Sequence, residues 1–153
     1  MDAEGEIIEE SGNIPDGIVK EYYKNGAVMA EILYVNNRPE GQEIRYFENG
    51  KVASKTNYKD GKMDGNYEKY NEDGRLIEQE SFQMGKLHGL QTRYYENGKI
   101  RSQQDYKDGV IEGTSKFYNE NGNLKSEILY QNGKIISVKA WDDNGSLISS
   151  YKH

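Results

Sequence analysis

The chain has 153 residues, 34% of them hydrophobic, so it is sized for one domain yet falls short of the ~45–50% apolar content that fills a two-layer core. The formal net charge of −6 resides in residues 1–16, where Asp2, Glu4, Glu6, Glu9, Glu10 and Asp16 stand without a Lys or Arg, and the rest of the chain is balanced. The absence of cysteine excludes a disulfide framework and a thiolate metal site, and the balanced body lacks the basic footprint of a nucleic-acid binder.

Residues 1–16 read as an acidic N-terminal cap or half-repeat. Its first four residues are expected to be disordered, residues 5–10 to form an edge strand and Ser11-Gly12-Asn13 a turn. The acid run would discourage edge-to-edge pairing. From Gly17 to residue 136 the sequence is a 24-residue unit written five times. Glycine opens each unit at Gly17, Gly41, Gly65, Gly89 and Gly113. It returns nine residues on at Gly26, Gly50, Gly74, Gly98 and Gly122, and twenty on at Gly61, Gly85, Gly109 and Gly133, with Asn37 in the first copy. These columns hold 14 of the 17 glycines, so the glycines follow the period and form no phosphate-binding loop.

The aromatics follow the same period. With the opening glycine as position zero, position five is Tyr22, Tyr46, Tyr70, Tyr94 and Tyr118, and position seventeen is Tyr34, Tyr58, Phe82, Tyr106 and Tyr130. Position eleven is Val28, Val52, Leu76, Ile100 and Leu124. Position twenty-two is Pro39, Met63, Leu87, Ile111 and Ile135. Asn-Gly and Asp-Gly pairs at both turn columns tolerate the positive φ of tight hairpins. Each unit is therefore two strands and two turns.

The predicted fold is all-β: an elongated single-layer antiparallel β-meander built from tandem 24-residue β-hairpin repeats. With strands about 4.8 Å apart, a repeat advances roughly 10 Å and the long axis is on the order of 50–60 Å. Placing positions five, eleven, seventeen and twenty-two on one face requires a three-residue first turn, such as Glu48-Asn49-Gly50, with a left-handed glycine in a bulge. One further register change then falls near Gly65. A two-residue first turn would instead send position six to the core, and that position is polar in two copies, Asn71 and Asn119.

The first copy is irregular, with Asn36-Asn37 as its second turn and Pro39 removing a ladder donor. Glu48, Glu72 and Glu96 are expected to pair with Lys51, Arg75 and Lys99 across the first turns, worth about 0–1 kcal/mol each. Residues 137–153 read as a degenerate capping repeat. Ser137 replaces the opening glycine, Trp141 plugs the apolar stripe and Asn144-Gly145 turns one residue early.

Nothing in the chain reads as catalytic. There is no cysteine nucleophile and no G-x-S-x-G motif. His88 and His153 stand outside the apolar columns, and Asp142-Asp143-Asn144-Gly145 lacks the spacing of a calcium loop. No enzyme activity, cofactor or metal is expected. Positions four and six are expected on the face opposite the tyrosine stripe, where Tyr23, Arg45, Phe47, Lys69, Arg93 and Tyr95 form the candidate binding surface. Aromatic residues and Arg are enriched at protein interfaces; an ordinary sheet surface with Arg stems over rings is the competing reading.

The expected partner is a protein. Membrane lipid, through Lys51, Arg75 and Lys99, is disfavoured by the neutral body. A homo-oligomer joined through the sheet ends is a third reading, and nucleic acid is not expected. No stretch reaches the ~20 apolar residues of a membrane helix. No signal peptide is visible, which favours the cytoplasm unless a leader has been trimmed.

The pattern Y-x-x-N-G-K-hydrophobic, as in Tyr46 to Val52, then Y-x-x-G-K, as in Tyr58 to Lys62, then glycine, resembles the MORN-type repeat family over about residues 17–136. It is most similar to the bacterial variant named as antitoxin repeat proteins, and it lacks the G-x-G spacing of the eukaryotic form. The resemblance implies an extended sheet of hairpins that binds or scaffolds rather than catalyses. The antitoxin label implies sequestration of a partner protein.

Overall fold

The computed structural model describes residues 14–152. The strand expected at residues 5–10, the turn at 11–13, the first four residues and His153 lie outside them. The described chain forms one open antiparallel sheet of 15 strands. In chain order these are β1 (Gly17–Tyr22), β2 (Val28–Val35), β3 (Arg38–Pro39), β4 (Gly41–Tyr46), β5 (Val52–Lys59), β6 (Lys62–Tyr70), β7 (Leu76–Gln83) and β8 (Lys86–Leu87). They continue with β9 (Gly89–Tyr94), β10 (Ile100–Lys107), β11 (Val110–Ile111), β12 (Gly113–Tyr118), β13 (Leu124–Gln131), β14 (Lys134–Trp141) and β15 (Leu147–Lys152). Sheet order follows chain order. The two-residue strands β3, β8 and β11 pair only with the strand before them.

The two turn types follow from their residues. In the first, Phe47 N–H donates to the Lys51 carbonyl at 2.8 Å and Gly50 N–H to the Phe47 carbonyl at 2.9 Å. Gly50 is left-handed at φ 78°, so Glu48-Asn49-Gly50 is the expected three-residue loop. The second turn has two residues, both left-handed, as at Asp60 (φ 50°) and Gly61 (φ 77°). Asn or Asp occupies the first of these places in four copies. Met84 takes it in the third, at φ 50° and 61% exposed.

The expected single stripe is in fact split between two faces. Tyr46 lies opposite Val52, but Arg45 lies opposite Ser54, so Ala53 is an extra residue on β5. The same bulge recurs at position twelve in every first hairpin, at Met29, Ile77, Arg101 and Lys125. Directly opposed residues share a face, so the bulge exchanges the faces of the strand. One face, the front, carries Glu43, Arg45, Thr56, Tyr58 and Met63, and the back carries Tyr46 and Val52. The bulge residue differs in type from copy to copy, so no column in the sequence marks it.

The second register change does fall near Gly65. Met63 to Tyr67 on β6 spans twice the steps of Thr56 to Tyr58 on β5. On the front, the position-seventeen ring stands opposite a position-zero glycine, as Tyr58 opposite Gly41 and Phe82 opposite Gly65. An aromatic ring can cover the backbone that such a glycine leaves bare.

Of the eight buried residues among those described, Ala30, Ile32, Glu43, Thr56, Gln91, Ser102 and Ser115 belong to the front and Thr92 to the back. Two of the eight are apolar. Packing of hydrocarbon therefore leaves much of the order to hydrogen bonds, and the turns supply a repeated set. In four of the five two-residue turns the opening N–H donates to a carboxylate twenty residues earlier. These bonds run from Asn36 to Asp16 (2.7 Å), Asp60 to Glu40 (2.8 Å), Met84 to Asp64 (3.0 Å) and Asn132 to Glu112 (2.6 Å). The following glycine N–H donates to the previous unit's position-twenty-two carbonyl, as Gly61 to Pro39 (3.0 Å) and Gly85 to Met63 (2.8 Å).

Met84→Asn keeps the turn amide and replaces a side chain that disfavours the left-handed region. It is expected to stabilise by about 1 kcal/mol. Thermal denaturation should show a rise of about 2–4 °C, and an unchanged or lower midpoint would contradict the strain at this turn.

Candidate functional site

The six candidate binding residues lie along the front face, and four of them, Tyr23, Arg45, Phe47 and Lys69, border one groove. Arg45, Lys69 and Arg93 align in one row across the strands, through Ser54, Glu78 and Ser102. Tyr23, Phe47 and Tyr95 follow the ends of β1, β4 and β9 and point the row toward the first turns. They share this face with the position-seventeen aromatics Tyr34, Tyr58, Phe82, Tyr106 and Tyr130, which the unbulged parity had set opposite them. The stripe left on the back is Tyr22, Tyr46, Tyr70, Tyr94 and Tyr118.

Neighbouring carboxylates occupy two of the three cations. Arg45 contacts Glu43, only 4% exposed, without an aligned hydrogen bond, and lies 3.8 Å from Glu21. Arg93 Nε donates to Glu78 at 2.6 Å, and that bond raises its pKa further. Lys69 has no hydrogen-bond or ion-pair partner among the described residues. It borders a groove of about 280 Å³ whose apolar walls include Tyr23, Met29, Phe47 and Tyr67. The sequence reading missed Met29, a bulge residue, and Tyr67, whose equivalents Val19, Glu43, Gln91 and Ser115 share no chemistry.

The position-six side chains also tie neighbouring units together. Tyr23 Oη donates to the Tyr46 carbonyl at 2.7 Å and Tyr95 Oη to the Tyr118 carbonyl at 2.6 Å. Phe47 has no hydroxyl to commit in this way. Where the position is Asn, the side chain folds into its own turn: Asn71 Oδ1 accepts from the N–H groups of Asp73 and Arg75 at 3.1 and 2.9 Å. Among the described residues, the expected Glu–Lys pairs across the first turns do not form. Arg75 and Lys99 donate instead to carbonyls of the next unit's turn, Glu96 at 2.9 Å and Asn121 at 2.8 Å.

On the back, position-five hydroxyls meet acids and amides. Tyr46 Oη bonds Glu31 at 3.2 Å, Tyr70 Oη bonds Glu68 at 2.6 Å and Tyr94 Oη bonds Gln79 at 2.6 Å. Lys55 Nζ stands 5.7 Å from the centre of the Tyr70 ring. The Glu68 bond and burial push the Tyr70 phenol up to about 12. On the front, burial and Glu43 push Tyr58 up to about 12. Trp141, half-buried, lies opposite Leu147 as Tyr46 lies opposite Val52, so it continues the position-five column. The shift arises because the last unit has a shorter irregularity beside Ser137.

Burial raises the Glu80 carboxyl above the usual glutamate range. The neighbouring Glu78 adds to the shift, and the bond from Gln91 opposes it. A carboxyl with a raised folded-state pKa binds more protons folded than unfolded, so its contribution to stability falls as pH rises through that window. Glu80→Gln is expected to stabilise the protein at neutral pH, and the gain should vanish below the usual glutamate pKa. Denaturant midpoints of both proteins from acid to neutral pH check this, and a gain independent of pH would contradict it.

Among the described residues no cluster of three or more His, Asp or Glu could hold a metal ion, and no helix is long and apolar enough to cross a membrane. A family model described as "Uncharacterised protein" matches residues 19–144. No curated protein matches the sequence. Among solved structures, a mutant of S. aureus TarM in complex with fondaparinux, alpha-GlcNAc-glycerol and UDP is similar at 17% identity over 78% of this chain and 21% of that one, with a TM-score of 0.37. Another TarM structure is similar at 20% identity over 84% of this chain and 20% of that one, with a TM-score of 0.36. The chain spans about a fifth of the length of these structures.

Proposed function

We propose that this chain, which belongs to the family whose model matches residues 19–144, is a non-catalytic module that binds another protein on the front face. The observation that carries the reading is the groove beside Lys69: a cation with no partner among the described residues, next to the rings of Tyr23, Phe47 and Tyr67. A protein partner would place an apolar side chain in the groove and an acceptor on Lys69. The MORN-type resemblance supports a binding role, and toxin neutralisation is the specific form it implies. The phospholipid reading is less favoured, because Arg75 and Lys99 already donate to turn carbonyls.

Arg45 and Arg93 are poor probes of this surface. Reversing either charge would leave Glu43 or Glu78 without its counter-ion and destabilise the sheet. Phe47→Ala with Lys69→Gln removes the ring and the cation from the groove and sets no new carboxylate opposite Glu78. Affinity capture from native lysate should return one stoichiometric protein on the parent chain. The double variant should weaken that complex by tenfold or more, about 1.4 kcal/mol, with its melting transition retained. A toxic partner would make the protein an antitoxin. Equal capture by the folded variant would remove this groove as the site.

A further inference from the structure

We infer that the back face from β7 to β12 binds a proline-rich segment in the polyproline II conformation, one helical turn to each repeat. This surface lies opposite the groove beside Lys69 and does not rest on that groove's role.

The site is a gap in a charged row. Positions three and fourteen form one row across the back, through Lys55, Glu68, Gln79, Thr92, Gln103, Lys116 and Glu127 on successive strands of the sheet path. The three neighbours in the middle, Gln79, Thr92 and Gln103, carry no charge. Leu90, on the same face, is 43% exposed. A groove of about 460 Å³ opens beside them, with Tyr94 and Leu76 in its walls. A neutral strip between charged ends complements an uncharged occupant, because a charge set on it would be desolvated without a counter-ion.

The strip offers rings and donors. Tyr94 on β9 reaches Gln79 on β7 at 2.6 Å, and Tyr118 on β12 reaches Gln103 on β10 at 3.4 Å. A phenol bonded to the neighbouring strand lays its ring along the sheet with one face outward. Each glutamine accepts that phenol through Oε1, which leaves Nε2 as a donor. Gln79 Nε2 makes a long bond of 3.4 Å to Glu68, and Gln103 Nε2 has no acceptor among the described residues. Aromatic faces take proline rings, and amide donors take carbonyls. A polyproline II segment presents both, since it has no internal hydrogen bonds and its carbonyls are open to a donor.

Spacing selects this occupant. Tyr94 and Tyr118 stand one repeat apart, and so do Gln79 and Gln103. Two strands at about 4.8 Å make roughly 10 Å per repeat. Polyproline II rises ~3.1 Å per residue with three residues per turn, so one turn advances about 9.3 Å. Residues i and i+3 therefore meet the same ring and the same donor in consecutive units. A β-strand returns a side chain to one face every ~6.6 Å and falls out of step.

The probes are acetylated, amidated oligoprolines of three and six residues, titrated into the full chain while NMR follows the side-chain amides of Gln79 and Gln103. Both amides should shift, and six prolines should bind about tenfold tighter than three, because the second turn engages the next unit. Tyr94→Phe keeps the ring and should leave binding unchanged. Gln103→Glu suits the fold, since position fourteen is Glu31 and Glu127 in other units and Lys116 lies opposite. It should nevertheless weaken the six-proline complex about tenfold, by removing a donor and adding an anion. No shift with either oligoproline would overturn the proposal, as would equal binding of three and six prolines, of a six-residue Gly-Ser peptide, or of the Gln103→Glu variant. Cellohexaose shifting both amides where the oligoprolines do not would mark a polysaccharide site and overturn it too.

Discussion

The N–H that opens each two-residue turn points away from its own hairpin and needs an acceptor from elsewhere. Asp16, Glu40, Asp64 and Glu112 supply one, each from the unit before. Hydrogen bonds to charged groups contribute about 1.5–3 kcal/mol, more than neutral ones. In a sheet whose buried residues are mainly Glu, Gln, Ser and Thr, these ties do part of what an apolar core does in a two-layer fold. They also fix the spacing between hairpins. At the Asp60, Met84 and Asn132 turns the next residue is a glycine whose N–H reaches the previous unit's carbonyl, so one turn stacks directly on the last.

The opposite end of each unit uses a different chemistry for the same purpose. Asn49 and Asn97 close their own turns through Oδ1 and reach the next turn's carbonyl through Nδ2. Tyr23 and Tyr95 span the same gap with a phenol. Much of the polar surface that reads as a solvated face is therefore committed to neighbours. Within the row of Arg45, Lys69 and Arg93, Lys69 has no partner among the described residues, and Phe47 beside it has no hydroxyl to commit. A functional surface on such a sheet is best sought where a column's usual tie is absent.

The hairpins, the three-residue loop at Gly50 and the irregularity at Gly65 were legible because each needs a left-handed or Cβ-free residue and so leaves a glycine column. The bulge at position twelve was not. Met29, Ala53, Ile77, Arg101 and Lys125 all occupy it, since an extra residue in a β-bulge needs no special side chain. That one unmarked residue reversed the parity and divided the tyrosines between two faces. The candidate site was partly legible. Spacing set Arg45, Phe47 and Lys69 on one face, and they line one groove; Met29 joins them at a bulge, and Tyr67, two residues before Lys69 on β6, occupies a column of mixed chemistry that carries no signal. The pairing of Arg93 with Glu78 depends on strand register, which sequence period alone leaves open.

The central claim is that carboxylate ties between units hold the turns, and one copy supplies its own control. At the fourth unit's turn the acid's place is held by His88, the last residue of the third unit, with Nδ1 3.4 Å from Asp108 Oδ1. Residue-resolved amide hydrogen exchange by NMR reads each turn separately. The account predicts slow exchange at the exposed turn amides of Asn36, Asp60, Met84 and Asn132, and faster exchange at Asp108. Exchange at the unprotected rate in all five turns, or equal protection at Asp108, would contradict it.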